Sequence, residues 1–102
     1  MLVMRGKVVV KPEAREAFVE AVQKLVAVSR EGEGVLHYDV GESITEPNTF
    51  VSLEVYQDEE AARRNEQTSA WAEAVPVIQR SLAEAPSGEA YTVQEARPMD
   101  VG

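Results

Sequence analysis

The segment FVSLEVY, residues 50–56, is the feature that most constrains how this chain can fold. Successive residues of a strand point to opposite faces of a sheet, so the segment has two distinct sides. One side consists of Phe50, Ser52, Glu54 and Tyr56, and the other of Val51, Leu53 and Val55. Because both sides carry apolar residues, both must be covered. The segment therefore predicts a central strand between two layers.

The elements around this strand follow the order β-α-β-β-α-β. Strands are predicted at residues 2–11, 35–40, 50–56 and 90–96, with helices at 12–29 and 58–82 and a loop at 85–89. In the second strand Leu36, Tyr38 and Val40 alternate with Val35, His37 and Asp39. Thr68 or Ser69 is expected to restart or kink the second helix. This order in one small domain predicts an α+β, ferredoxin-like fold, a four-stranded antiparallel sheet with the helices on one face. A second copy of the sheet is then expected to cover the aliphatic side of the third strand.

Composition narrows the function classes. The 102 residues predict a single domain, with residues 98–102 a loose tail. The chain has no cysteine, which excludes disulfides, thiolate nucleophiles and cysteine-based metal sites. A formal charge of −8 argues against nucleic acid and against anionic membranes. No apolar run approaches ~18 residues and the N-terminus lacks a signal-peptide pattern, so we expect a cytoplasmic protein without a membrane span.

Three longer runs carry a resemblance to a known family: KVVVKPEAREAFVEAV, EGEGVLHYDV and EPNTFVSLEVYQDEEAARRNEQTSAW. In order and length these runs are similar to the antibiotic biosynthesis monooxygenase family, over roughly residues 2–96. The resemblance implies a dimeric α+β barrel formed by two sheets face to face. It also implies a pocket between the sheet and the helices, lined by Phe50, Ser52, Glu54 and Tyr56.

The same resemblance implies a chemistry. A family member without cofactor or metal would oxidise a phenolic, quinol or other small aromatic substrate with O₂, the deprotonated substrate supplying the electrons. Many members carry histidine at the positions of Asn65 and Ala70, so a base is missing at both. Haem-degrading relatives use asparagine, tryptophan and histidine where this chain has Gly6, Tyr56 and Val75, which argues against haem degradation.

Three residues are candidates for catalysis. Glu54, if buried, would have a raised pKa and could accept a phenolic proton; otherwise it pairs with Arg5, Lys7, Arg97 or a cation of a second subunit. Asn65 could hold a developing oxyanion, or it could be a cap or surface residue. His37, the only histidine, is either a general base or a strand residue near the dimer interface.

Aromatic residues complete the candidate site. Tyr56 and Trp71 would form a wall against a flat ring together with Phe50 and Ser52, or they belong to the hydrophobic core. An enzyme is not the only function that this pattern allows. A non-catalytic dimer that binds a small ligand or a partner could keep the same fold, because fold alone does not determine function.

Overall fold

The structure, a computed structural model, describes residues 1–101. Its strands are β1 (Leu2–Val9), β2 (Val35–Glu42), β3 (Thr49–Tyr56) and β4 (Ser87–Thr92). Its α-helices are α1 (Arg15–Ser29), α2 (Glu59–Glu66) and α3 (Ser69–Ser81), and a short 3-10 turn at Pro12–Ala14 leads into α1.

The four strands form one sheet in the order β2-β3-β1-β4, and all neighbouring strands are antiparallel. The three helices pack against one face of this sheet. One cluster of the core joins Leu25 of α1, Tyr38 of β2, Tyr56 of β3, Ala61 of α2 and Ala74 of α3. The predicted α+β, ferredoxin-like fold is therefore confirmed. The sheet itself is open and does not close into a barrel.

The two sides of β3 differ as the sequence predicts. Phe50 and Tyr56 are buried beneath the helices. Val51 and Leu53, on the other side, are 46% and 42% exposed. The aliphatic side of the central strand thus remains uncovered in a single chain.

The second strand contains a β-bulge that the sequence pattern does not reveal. Val35 pairs with Tyr56 and His37 with Val55, so β2 advances two residues where β3 advances one. The prediction that Leu36 lies on the same face as Tyr38 is wrong, because the bulge leaves Leu36 exposed while Tyr38 is buried. The bulge thereby turns Tyr38 towards the helices and His37 to the outer face.

The last strand begins and ends earlier than predicted. The prediction of a loop at 85–89 and a strand at 90–96 is wrong in its boundaries, because β4 spans Ser87–Thr92. The small residues suggested a loop, but Gly88 lies in the ladder opposite Gly6. A Cβ on Gly88 would lie 2.7 Å from the backbone oxygen of Arg5. Glycine here allows two backbones to approach closely, one of its roles within strands.

The predicted restart of the second helix is confirmed. Asp58 caps α2 by accepting a hydrogen bond from the Ala61 amide, and Thr68 caps α3 in the same way from the Trp71 amide. Residues 98–101 carry no helix or strand, and Gly102 of the predicted tail lies outside the described residues. In the described chain, no helix has both the length and the apolar character needed to cross a membrane.

Candidate active site

A cavity of about 260 Å³ lies between the sheet and the helices. The sheet contributes Tyr38, Ser52 and Glu54 to its lining, and the helices contribute Phe18 and Trp71. Gly6 also lines the cavity, and a Cβ there would lie 2.6 Å from Ser52 Oγ. A glycine at this point keeps the floor free of a side chain. Four of the predicted site residues line this cavity: Phe50, Ser52, Glu54 and Trp71.

Glu54 is the acidic group of the cavity, and it has no cationic partner within residues 1–101. Two of the three cations considered for it within the chain pair elsewhere, Arg5 with Glu89 at 2.5 Å and Lys7 with Glu46 at 2.8 Å, and the described residues show no ion pair between Arg97 and Glu54. Burial raises the pKa of the Glu54 carboxyl, and the hydrogen bond from Tyr56 opposes this increase only in part. Of the alternatives that the sequence left open, the structure favours a partly buried carboxyl with an elevated pKa.

A chain of hydrogen bonds supports Glu54 from behind. The Tyr56 hydroxyl donates to Glu54 Oε1, and Asn65 Nδ2 donates to the Tyr56 hydroxyl at 3.3 Å. Burial and then the hydrogen bond to Glu54 raise the pKa of Tyr56, so its phenol stays protonated. Tyr56 is 1% and Asn65 4% exposed. The chain of hydrogen bonds ends at Oε1 of the carboxylate, and no hydrogen bond to Oε2 is found within residues 1–101.

Two predicted site residues therefore lie one layer behind the cavity. Tyr56 belongs to the core, the other reading that the sequence allowed, and it does not form part of an aromatic wall. The side-chain amide of Asn65 donates a hydrogen bond to Tyr56, and Asn65 does not line the cavity. Its placement therefore gives no direct contact with a ligand. Tyr56 reaches the site through its hydrogen bond to Glu54, and Asn65 reaches it through the hydroxyls of Tyr56 and Tyr38.

His37 lies on the other side of the sheet from Glu54. It faces a shallow depression of the outer surface together with Asp39, Val51 and Leu53. The structure therefore does not bring His37 together with Glu54 and Asn65. Its position corresponds to the alternative reading, a strand residue on the face where a second sheet is expected.

Sequence reasoning missed Tyr38, which lines the cavity beside Glu54. The two residues lie directly opposite each other on β2 and β3. Burial and then the charge of Glu54 raise the pKa of Tyr38, so the hydroxyl keeps its proton. The alternation of β2 does place Tyr38 opposite His37, but without the register of the hairpin neither face could be assigned.

Another depression, of about 320 Å³, lies between α1 and β2, where Phe18 and Val22 contribute to its lining. Its charged residues, Arg30 and Asp39, form an ion pair at 3.1 Å. The inner cavity is the better candidate site because it contains a carboxyl with a perturbed pKa. Within residues 1–101 no group of three or more potential ligands is arranged to hold a metal ion.

Comparison with known proteins identifies the family of the chain. The family model described as antibiotic biosynthesis monooxygenase matches residues 1–95. The chain is 44% identical over 69 residues to the "Putative monooxygenase YcnE" of Bacillus subtilis (strain 168), covering 68% of this chain and 73% of that protein.

Solved structures show the same fold. A "Putative antibiotic biosynthesis monooxygenase from Nitrosomonas europaea" superposes with a TM-score of 0.86 at 25% identity, covering 93% of this chain and 100% of the other. A protein of Deinococcus radiodurans with the same description superposes with a TM-score of 0.86 over 98% of this chain and 99% of the other; at 18% identity it shows the fold alone. The sequence matches support a monooxygenase-type function. The chain belongs to the antibiotic biosynthesis monooxygenase family.

Proposed function

We propose that the protein is a cofactor-independent monooxygenase that oxidises a small phenolic or quinol substrate with O₂. The observation that carries the proposal is Glu54, a carboxyl in a mostly apolar cavity with no cationic partner among residues 1–101. A carboxyl with a raised pKa is a suitable base for a phenolic hydroxyl, because proton transfer is most efficient when the pKa of the base is near the working pH.

The substrate ring would lie among the aromatic side chains of the cavity. Phe18 and Phe50 have ring centroids 4.8 Å apart, and Trp71 contributes from α3. Such surfaces bind flat rings through apolar contact and favourable ring geometry. A volume of about 260 Å³ lies just below the roughly 300–1,000 Å³ typical of ligand sites, which favours a small ring system.

The chemistry follows from deprotonation. Glu54 takes the hydroxyl proton, and the electron-rich anion that remains can reduce O₂ directly. A ring carbon forms a C–O bond, and the substrate loses two hydrogens, one from the hydroxyl through Glu54 and one from that carbon. One oxygen atom stays on the product and the other leaves as water, which takes up both hydrogens: RH₂ + O₂ → RO + H₂O. The reduced substrate supplies all four electrons. Tyr56 and Asn65 would orient Glu54 for the first step.

The outer face of the sheet would form a homodimer, in which two copies cover each other's apolar residues. Val51 and Leu53 of β3 and Tyr91 of β4 are exposed there. Clustered exposed apolar residues mark interaction surfaces, and a two-fold symmetric contact is the commonest solution for a single chain. His37 would then lie at or near the interface.

Oxygen uptake with a panel of hydroquinones and anthrone-like phenols tests the proposed reaction. Glu54→Gln should lower kcat about 10²- to 10⁴-fold, the usual contribution of a general base. Glu59→Gln, at the exposed start of α2, is the matched control and should retain activity. Mass spectrometry with ¹⁸O₂ should show one labelled oxygen in the product.

Two outcomes would contradict the proposal. If His37→Ala abolishes uptake while Glu54→Gln retains it, the base is on the other face. If the phenols bind but no substrate consumes oxygen, the protein is a non-catalytic ligand-binding dimer on the same fold.

A further inference from the structure

We infer that Tyr38 is the hydrogen-bond donor of the cavity, and that it stabilises the phenolate oxygen that forms when Glu54 accepts a substrate proton. This role rests on the proposed function, since it assigns a second residue to the same site. It also makes a separate statement about binding: the cavity recognises the ionised form of a phenol.

The sheet brings the two groups together. Tyr38 and Glu54 are directly opposite on β2 and β3 and lie on the face beneath the helices. Side chains of directly opposite residues in an antiparallel pair have Cβ atoms only about 4.5–5.5 Å apart. Both residues line the cavity, among aromatic and aliphatic side chains such as Phe18, Val22 and Trp71. One hydroxyl group of a ligand could therefore contact both.

Their protonation states are complementary. Burial and the nearby charge of Glu54 keep the pKa of Tyr38 well above its usual value, so the phenol remains a donor across the physiological range. When the substrate proton moves to Glu54, the negative charge moves from the carboxylate to the substrate oxygen, and Tyr38 keeps its own proton. The total charge of the cavity does not change, which matters where few water molecules can screen it. A donor already in place stabilises the new anion without reorganisation.

The other polar neighbours of the Tyr38 hydroxyl are neutral. Ser29 of α1 and Asn65 of α2 interact with it by side-chain hydrogen bonding, which lowers its pKa in part against burial. Ser29 is 1% exposed, and its Oγ makes no hydrogen bond of normal geometry to the described residues. Hydrogen bonds to ionised groups are roughly twice as strong as those between neutral groups. An oxyanion in the cavity would therefore be a better acceptor for the hydrogen bond of the Tyr38 hydroxyl than these neutral side chains.

A coloured phenol tests this role without turnover. In the Glu54→Gln background, the absorbance of bound 4-nitrophenol reports its own ionisation as pH is varied. Adding Tyr38→Phe should raise the apparent pKa of the bound phenol by about 1–2 and weaken binding of the phenolate about 10- to 100-fold, as expected for a lost hydrogen bond to a charged group. Binding of the methyl ether, 4-nitroanisole, should change less than about threefold, because that ligand has no ionisable oxygen.

Tyr91→Phe is the matched control, since Tyr91 lies on the outer face of β4 and accepts a hydrogen bond from Arg5 at 3.2 Å. It should leave the bound phenol unaffected. With an active substrate, Tyr38→Phe in the otherwise unaltered protein should lower kcat about 10- to 100-fold with KM nearly constant, the pattern of an interaction made only in the transition state.

The result that overturns the role is an unchanged pKa of the bound phenol in the Tyr38→Phe variant, with circular dichroism showing a folded protein. Failure of 4-nitrophenol to bind the Glu54→Gln protein at millimolar concentration would overturn it as well. Neither readout requires oxygen consumption. A protein that binds phenolate through Tyr38 but consumes no oxygen would therefore refute the proposed reaction and leave the donor role intact.

Discussion

At the level of single residues, opposing influences set the pKa of the Glu54 carboxyl. Burial and, to a smaller extent, the charge of Glu66 favour its neutral form, while the hydrogen bond from Tyr56 favours the carboxylate. Burial is the larger effect, so the pKa is raised. The position of the Tyr56 hydroxyl depends in turn on Asn65, which is nearly fully buried and donates a hydrogen bond to that hydroxyl. The pKa of the proposed base therefore also depends on Tyr56 and Asn65, which lie behind the cavity.

The raised pKa of Glu54 predicts a pH-dependent cost in stability. A carboxyl whose folded pKa exceeds its unfolded value of about 4.3 stabilises the fold below that value, and this contribution is lost as pH rises through the folded pKa. Glu54→Gln keeps an acceptor for Tyr56 and has no charge to bury. Its free energy of unfolding relative to the unaltered protein should therefore increase as pH rises from 4 to 8.

Urea unfolding of both proteins at several pH values measures this difference, and Glu59→Gln serves as the surface control. A difference that stays constant with pH, or one that shrinks as pH rises, would show that the Glu54 carboxylate is not disfavoured in the folded protein.

Among the elements, the pairing of β1 with β4 depends on a close approach at Gly88. An added Cβ would lie 2.7 Å from the Arg5 backbone oxygen and 3.3 Å from Gly6 Cα, and neither atom can move without shifting a strand. Gly88→Ala should lower the free energy of unfolding by about 1–3 kcal/mol, the usual cost of overpacking. Gly41→Ala is the control, measured at a protein concentration where the chain is monomeric, because no atom of the described residues lies within 4 Å of a Cβ there.

Thermal unfolding distinguishes the two variants. Gly41→Ala should be neutral or slightly stabilising, since alanine reduces the entropy of the unfolded chain. For a domain of this size, 1 kcal/mol corresponds to a change in Tm of roughly 4–8 °C. Equal melting temperatures for Gly88→Ala and Gly41→Ala would mean that β4 relaxes away from β1 at little cost.

These elements also show how far sequence reasoning reaches. Alternation in β3 correctly assigned Phe50 and Glu54 to the helix side, because one strand with two distinct faces determines its own orientation. Alternation could not tell that Tyr56 lies deeper than Glu54, since depth depends on how the helices cross the sheet. Tyr38 was missed because its face depends on the bulge at Leu36, which leaves no mark in the pattern. The start of β4 was missed because its glycine also fits a loop.

At the scale of the whole molecule, the chain is covered on one side only. The helices bury one face of the sheet, and the outer face exposes Val51, Leu53 and Tyr91 beside Arg5 and His37. The cavity and this surface lie on opposite faces of the same four strands. The arrangement would let two copies associate through their sheets while each keeps a complete site of its own.

The proposed dimer predicts a large effect of one substitution, Leu53→Asp. Leu53 lies on β3, one of the two inner strands, and is 42% exposed on the outer face of the single chain. Two-fold symmetry would bury two unpaired carboxylates in the interface. The dissociation constant of the dimer should rise at least about 30-fold, corresponding to an interface residue worth 2 kcal/mol or more.

Val28→Asp is the matched control, because Val28 is 47% exposed on α1, away from the sheet. Size-exclusion chromatography with light scattering should give twice the chain mass of 11.2 kDa for the unaltered protein and for Val28→Asp, and the mass of one chain for Leu53→Asp. A Leu53→Asp protein that remains dimeric, or an unaltered protein that is monomeric at micromolar concentration, would rule out association through the sheet faces.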